Sequence, residues 1–77
     1  MEEKFNKIVV EFFKLAPEEI KDSLTAKETP NWDSMNYLLF IAELEKQFNV
    51  SFSMDEVLNA KSLGSIKEML RKRGINL

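Results

Sequence analysis

The stretch NWDSMNYLLFIAELEKQF, Asn31 to Phe48, decides how the rest of the chain is read. A polar, turn-like opening gives way at once to an apolar run with helical spacing. Asp33 is a good helix cap, because its carboxylate can accept from backbone N–H groups of the first turn. The spacing therefore predicts a helix over 34–48. With Asp33 as the cap, Trp32 and Tyr37 fall at the two positions of a hydrophobic staple. Tyr37, Ile41, Leu44 and Phe48 follow a seven-residue repeat, Phe40 widens that face, and Asn49 suits a C-terminal stop. Leu38 and Leu39 make the start of this helix apolar nearly all round. With Met35 they either form an exposed docking patch or pack beneath the preceding loop.

Upstream, residues 16–33 form a long connection with Pro17, Pro30 and apolar anchors at Ile20 and Leu24. Its PEEIKD segment suits one helical turn, since proline fits the first position of a helix. Loops of this length are uncommon in small domains and are often functional; a packed crossover is the simpler reading of most of it. Residues 2–15 read as an amphipathic helix, with Phe5, Ile8, Val9, Phe12 and Phe13 at three- and four-residue spacing. Ala16-Pro17 is expected to end it, because the residue before proline avoids the helical region. Downstream, Ser53 and Glu56 have capping-box spacing, so a short helix is expected from Ser53 through Leu58, with Phe52 and Val57 pointing inward. A last helix begins after Ser62, with Leu63, Ile66, Met69 and Leu70 on its apolar face, and ends at Gly74. The fold expected is all-α: a small four-helix bundle of three main helices and a short third one. A long loop joins helices one and two, and residues 1–77 form a single domain.

The composition narrows the chemistry. The 77 residues include no cysteine and no histidine, which removes disulfides, thiolate metal sites and the commonest general base. A domain this small is marginally stable, so apolar packing must hold it together. The formal net charge of −2 argues against nucleic-acid binding. The charge is uneven: Ser34–Ala60 holds four acids and one base, whereas Lys61–Leu77 holds one acid and five bases. The RKR run at 71–73 reads as a solvated helix end complementing the helix dipole. No apolar run is long enough to span a bilayer, and MEEKFNKIVVEFF lacks the long apolar core of a secretory signal. A cytoplasmic monomer is the default expectation.

Without His or Cys, a Ser-His-Asp arrangement and a thiolate mechanism are impossible. The acids lie scattered at solvated-face spacing and no glycine-rich phosphate loop is present. By elimination the domain is not expected to be an enzyme by itself. What remains is the hydroxyl of Ser34 at a helix N-terminus, where unpaired N–H groups and the dipole favour an anion. Serine is also simply common at such positions.

Read together, W-D-S-M, the apolar helix, A-E-L-E-K-Q-F, N-V-S-F and S-M-D-E resemble an acyl carrier protein over nearly the whole chain. The resemblance implies that Ser34, flanked by Asp33 and Met35, receives 4′-phosphopantetheine from coenzyme A through a phosphopantetheinyl transferase. The cofactor would supply the thiol that the chain lacks and hold an acyl or aminoacyl group as a thioester. Ligases, synthases or transferases of fatty-acid, polyketide or related biosynthesis would then dock on helix two and its neighbours. The residues implied for docking are Asn36, Leu38, Leu39, Glu43, Glu45, Asp55 and Glu56. The sequence departs from the acidic helix two of general fatty-acid carriers: Asn36 and Leu39 take early outward positions and Lys46 interrupts the acids. Weaker electrostatic steering and more apolar contact are expected, which fits a specialised carrier, for example in a polyketide-like, peptide-like or D-alanine pathway. Ile41, Leu44, Phe52, Val57, Leu63 and Ile66 are expected to be core first, with an acyl pocket between helices as a further expectation. The alternatives are an unmodified protein-binding adaptor built on the same bundle and, more distantly, a helix-turn-helix DNA binder suggested by the basic C-terminal segment.

Overall fold

The computed structural model describes residues 2–77. The decisive helix, α2, runs Ser34–Phe48. Asp33 Oδ1 accepts the Asn36 N–H at 2.8 Å, so the predicted cap forms. Asn49 takes the left-handed conformation, φ 55°, and the Val50 N–H folds back onto the Glu45 carbonyl at 3.1 Å. Together these close the helix with a standard C-terminal motif.

The first helix, α1, is Glu2–Phe13, two residues shorter than the 2–15 expected. Pro17 is not what stops it. Lys14 turns left-handed, φ 57°, while its N–H still reaches the Val10 carbonyl at 3.0 Å. This is a left-handed cap on a residue with a Cβ, at a position that favours glycine. The short helix α3 spans Met54–Asn59 with Ser53 and Glu56 as a reciprocal cap. The last helix, α4, spans Leu63–Arg71 after the Ser62 cap. Gly74, φ 85°, closes the tail: its N–H bonds the Arg71 carbonyl and the Ile75 N–H bonds the Leu70 carbonyl, the paired bonds of a Schellman motif.

Residues 16–33 are a packed crossover. Pro17–Glu19 makes the single turn expected of PEEIKD, as a 3₁₀ helix. A second 3₁₀ turn, Ala26–Glu28, was not anticipated. Thr25 and Glu28 carry its signal, a threonine followed three residues later by glutamate, and Glu28 Oε1 accepts the Thr25 N–H at 3.1 Å. Leu24, Thr29 and Trp32 are buried. The loop is fastened to α4 by its backbone. Gly64 N–H donates to the Asp22 carbonyl at 2.8 Å and Leu63 N–H to the Leu24 carbonyl at 3.0 Å. These are first-turn donors that a helix cannot satisfy itself. The approach is close enough that a Cβ on Gly64 would stand 3.1 Å from the Asp22 oxygen.

Phe40 is the hub of the core. Its ring lies 4.7 Å from Phe13 and 6.2 Å from both Phe5 and Phe12. Phe13 stacks on Trp32 at 5.0 Å, and Trp32 on Tyr37 at 5.8 Å, which is the predicted staple. A continuous aromatic column thus runs from the centre of α1 to the start of α2. Leu44, Leu63, Ile66 and Leu70 complete the interior. The result is an all-helical bundle of four helices, with no strand among the described residues.

One charged side chain is buried among the described residues. Lys67 is 5% exposed and bonds Glu2 at 2.7 Å and Asp22 at 2.9 Å, joining α1, the loop and α4. Burial disfavours its charge, but the two carboxylates outweigh that and its pKa is raised. Of the basic run, Arg71 and Lys72 are exposed as expected, and Arg73 departs from the reading as a solvated end. Arg73 is half-buried, pairs with Glu56, donates to the Ser51 carbonyl at 2.6 Å and stacks 4.8 Å over Phe52.

Candidate functional site

The start of α2 presents its groups unequally. Asp33 supplies the cap, so Ser34 is not needed for that task. Ser34 is exposed, and no hydrogen bond among the described residues engages its hydroxyl. The staple beneath fixes the local backbone, because Trp32 is buried and stacked between Phe13 and Tyr37. A hydroxyl at this point is therefore accessible, rigidly placed and within the positive end of the helix dipole.

Beside Ser34 opens a cleft of about 550 Å³, walled by the second 3₁₀ turn, the first turns of α2, and α3 with its exit. Trp32, Tyr37, Val57, Leu58 and Ala60 give it apolar surface, and Lys27 and Lys61 line it from the two adjoining segments that the Thr25–Ser62 bridge joins. Tyr37 fixes the α3 wall: its hydroxyl donates to the Val57 carbonyl at 2.6 Å, and burial raises its pKa, so it remains a neutral donor. Of the six residues expected to be core first, only Val57 lines this cleft. Ile41, Leu44, Leu63 and Ile66 are buried in the common core, and Phe52 packs partly against it.

The residues read as docking positions separate into two groups. Met35, Leu38 and Leu39 are 75%, 49% and 55% exposed, so they do not pack beneath the loop. Met54 and Leu58 extend the exposed apolar surface onto α3, each 63% exposed. Glu43 is held by Gln47 at 2.6 Å, and Asp55 is exposed. The other three are structural. Asn36, expected to face outward, turns its amide onto the Phe12 and Asn31 carbonyls. The end of α1 leaves the Phe12 carbonyl short of a partner, and the amide satisfies it while also bonding the loop at Asn31. Glu45 accepts the Phe52 N–H at 2.8 Å, which ties the α2–α3 connection to α2. Glu56 caps α3 and pairs with Arg73. Its carboxyl is held down to about 2, first by the guanidinium hydrogen bond and then by the Ser53 N–H.

Sequence reasoning passed over Lys27, Lys61 and Lys67. Lys67 did leave a trace, because Leu63, Ile66, Lys67 and Leu70 have the i, i+3, i+4, i+7 spacing of one helix face. Lys27 and Lys61 left none, since they line one cleft only after the loop folds onto α4.

A family model described as the phosphopantetheine attachment site matches residues 3–70. The match runs from the first turn of α1 into the last turn of α4 and includes the Ser34 cleft. No curated protein matches the chain.

Proposed function

The chain belongs to the phosphopantetheine attachment family, and we propose that Ser34 bears the arm and that the domain is a specialised carrier of acyl or aminoacyl thioesters. Carriage of covalent 4′-phosphopantetheine is the property of the family as a whole; the residue, cargo and pathway are our reading. The observation that supports Ser34 is its uncommitted, exposed hydroxyl beside a helix already capped by Asp33. The bound arm supplies a terminal thiol, and hence a thioester, to a chain that has no cysteine. The protein's own residues provide placement. Asp33 and the Trp32–Tyr37 staple fix the serine, and the fully engaged carboxylates Glu45 and Glu56 fix α3.

The docking surface supports a specialised role in place of a general fatty-acid carrier. Met35, Leu38, Leu39, Met54 and Leu58 are exposed, while two of the four acids expected there are committed within the fold. A ligase, synthase or transferase that works with this carrier would recognise it more through apolar contact than through acidic steering. On this reading the domain performs no chemistry of its own and acts as a monomer with a phosphopantetheinyl transferase and downstream enzymes.

The test is intact mass after incubation with coenzyme A and a promiscuous transferase. One phosphopantetheine should add to the wild-type chain and none to Ser34→Ala. Modification of Ser34→Ala, or no adduct on a folded wild-type chain, would overturn the assignment. The unmodified-adaptor reading would gain from that last outcome.

A further inference from the structure

Ser34 stands between two depressions of similar size. The cleft of about 550 Å³ on the α3 side includes Ser34, Lys27 and Lys61 in its lining, the two lysines on adjoining segments joined by the Thr25–Ser62 bridge. A second depression, about 460 Å³, lies on the α1 side among Glu11, Lys14, Asn31, Met35, Asn36 and Leu39. Ser34 does not line it. Asp33 borders both. The two therefore differ in charge: beyond the shared aspartate, the first offers two cations and the second one cation and one anion.

They differ in chemistry as well. Lys27 and Lys61 take part in no ion pair among the described residues, so both ammonium groups are available to an anion. On the α1 side the Asn36 amide, a candidate donor, is already spent on the Phe12 and Asn31 carbonyls. Behind the lysines, Tyr37, Val57, Leu58 and Ala60 form an apolar floor.

We infer that Lys27 and Lys61 are positioning residues that seat the phosphodiester of a Ser34-linked arm and turn the arm into the α3-side cleft. This rests on Ser34 being the attachment residue. Whatever the cargo, the diester stands at this cleft, since it is bonded to a residue of its lining. Two cations on this side, against one cation and one anion on the other, give it a direction, and the apolar lining receives the uncharged part of the arm. The cleft then forms a resting seat that keeps the arm off the Met35–Leu39 surface.

The experiment compares ¹H–¹⁵N spectra of the apo protein and the cargo-free holo protein, with intact mass confirming the adduct. Holo formation should shift Val57, Leu58, Ala60 and Lys61 and leave Glu11, Lys14 and Leu39 unchanged. The α3-side shifts should shrink as salt rises, because exposed charges are screened. In Lys27→Gln/Lys61→Gln they should collapse towards apo values, and in Lys27→Arg/Lys61→Arg they should persist. Both lysines are exposed, so the apo spectrum of the glutamine variant reports directly on its fold. Shifts on the α1 side, shifts confined to the neighbours of Ser34, or α3-side shifts that survive in the glutamine variant would each overturn the inference. Failure of the carrier reading is distinct: no adduct appears in the mass spectrum, and the inference falls with it.

Discussion

At the start of α2, capping falls to Asp33 and the neighbouring hydroxyl stays uncommitted. Asp33→Ala should cost about 1 kcal/mol in denaturant unfolding, and Asp33→Asn much less, because asparagine caps nearly as well. A second residue-scale prediction concerns Lys14, the left-handed residue that ends α1. Lys14→Gly should stabilise the fold by about 0.5–1 kcal/mol, since a Cβ is strained there and glycine is not. Glu56 gives a pH dependence with a definite sign. Its folded value, about 2, lies below the ordinary 4.5. The ion pair with Arg73 therefore contributes fully above about pH 4.5, and that contribution is lost as pH falls towards 2. An NMR titration of the side-chain carboxyl should find a midpoint near 2 in the wild type, returning towards 4.5 in Arg73→Gln.

At the scale of elements, α3 is too short to hold itself and depends on its fastenings. Tyr37 bonds the Val57 carbonyl, and Arg73 bonds both Glu56 and the Ser51 carbonyl. Tyr37→Phe removes one of these while keeping the staple ring. It should cost about 1 kcal/mol and speed amide exchange in α3 more than in α1 or α4. Gly64 governs a different junction, where the loop meets α4. Gly64→Val should destabilise by about 2 kcal/mol or more, because its side chain meets the Asp22 backbone that the same residue's N–H holds in place.

Over the whole molecule, stability concentrates in the aromatic column, whereas the buried Lys67 ties segments together at little net gain. Phe40→Ala removes the ring that Phe5, Phe12 and Phe13 pack on. A loss of about 3–5 kcal/mol would consume much of the stability available to so small a domain. Lys67 tests a subtler point. Lys67→Met should be nearly neutral, since an apolar side chain of similar length can replace a buried ion pair. Glu2→Gln with Asp22→Asn should lower the denaturant midpoint more than Lys67→Met does, because it leaves the ammonium buried without a counter-charge. The sequence by itself determined the order of the helices, the bounds of α2, the Asp33 cap, the staple, and the Ser53 and Gly74 signals. Each depends on residues near one another in the chain, where spacing alone fixes the geometry. The family resemblance was likewise carried by contiguous motifs. Only the tertiary structure decided that Met35 and Leu39 face solvent, that Asn36 and Glu45 serve the backbone, and that Lys67 is buried. It alone brought Lys27 and Lys61 into the lining of the Ser34 cleft. Those outcomes depend on contacts between segments far apart in the chain, and a linear pattern carries no distance between them until the loop has packed against α4.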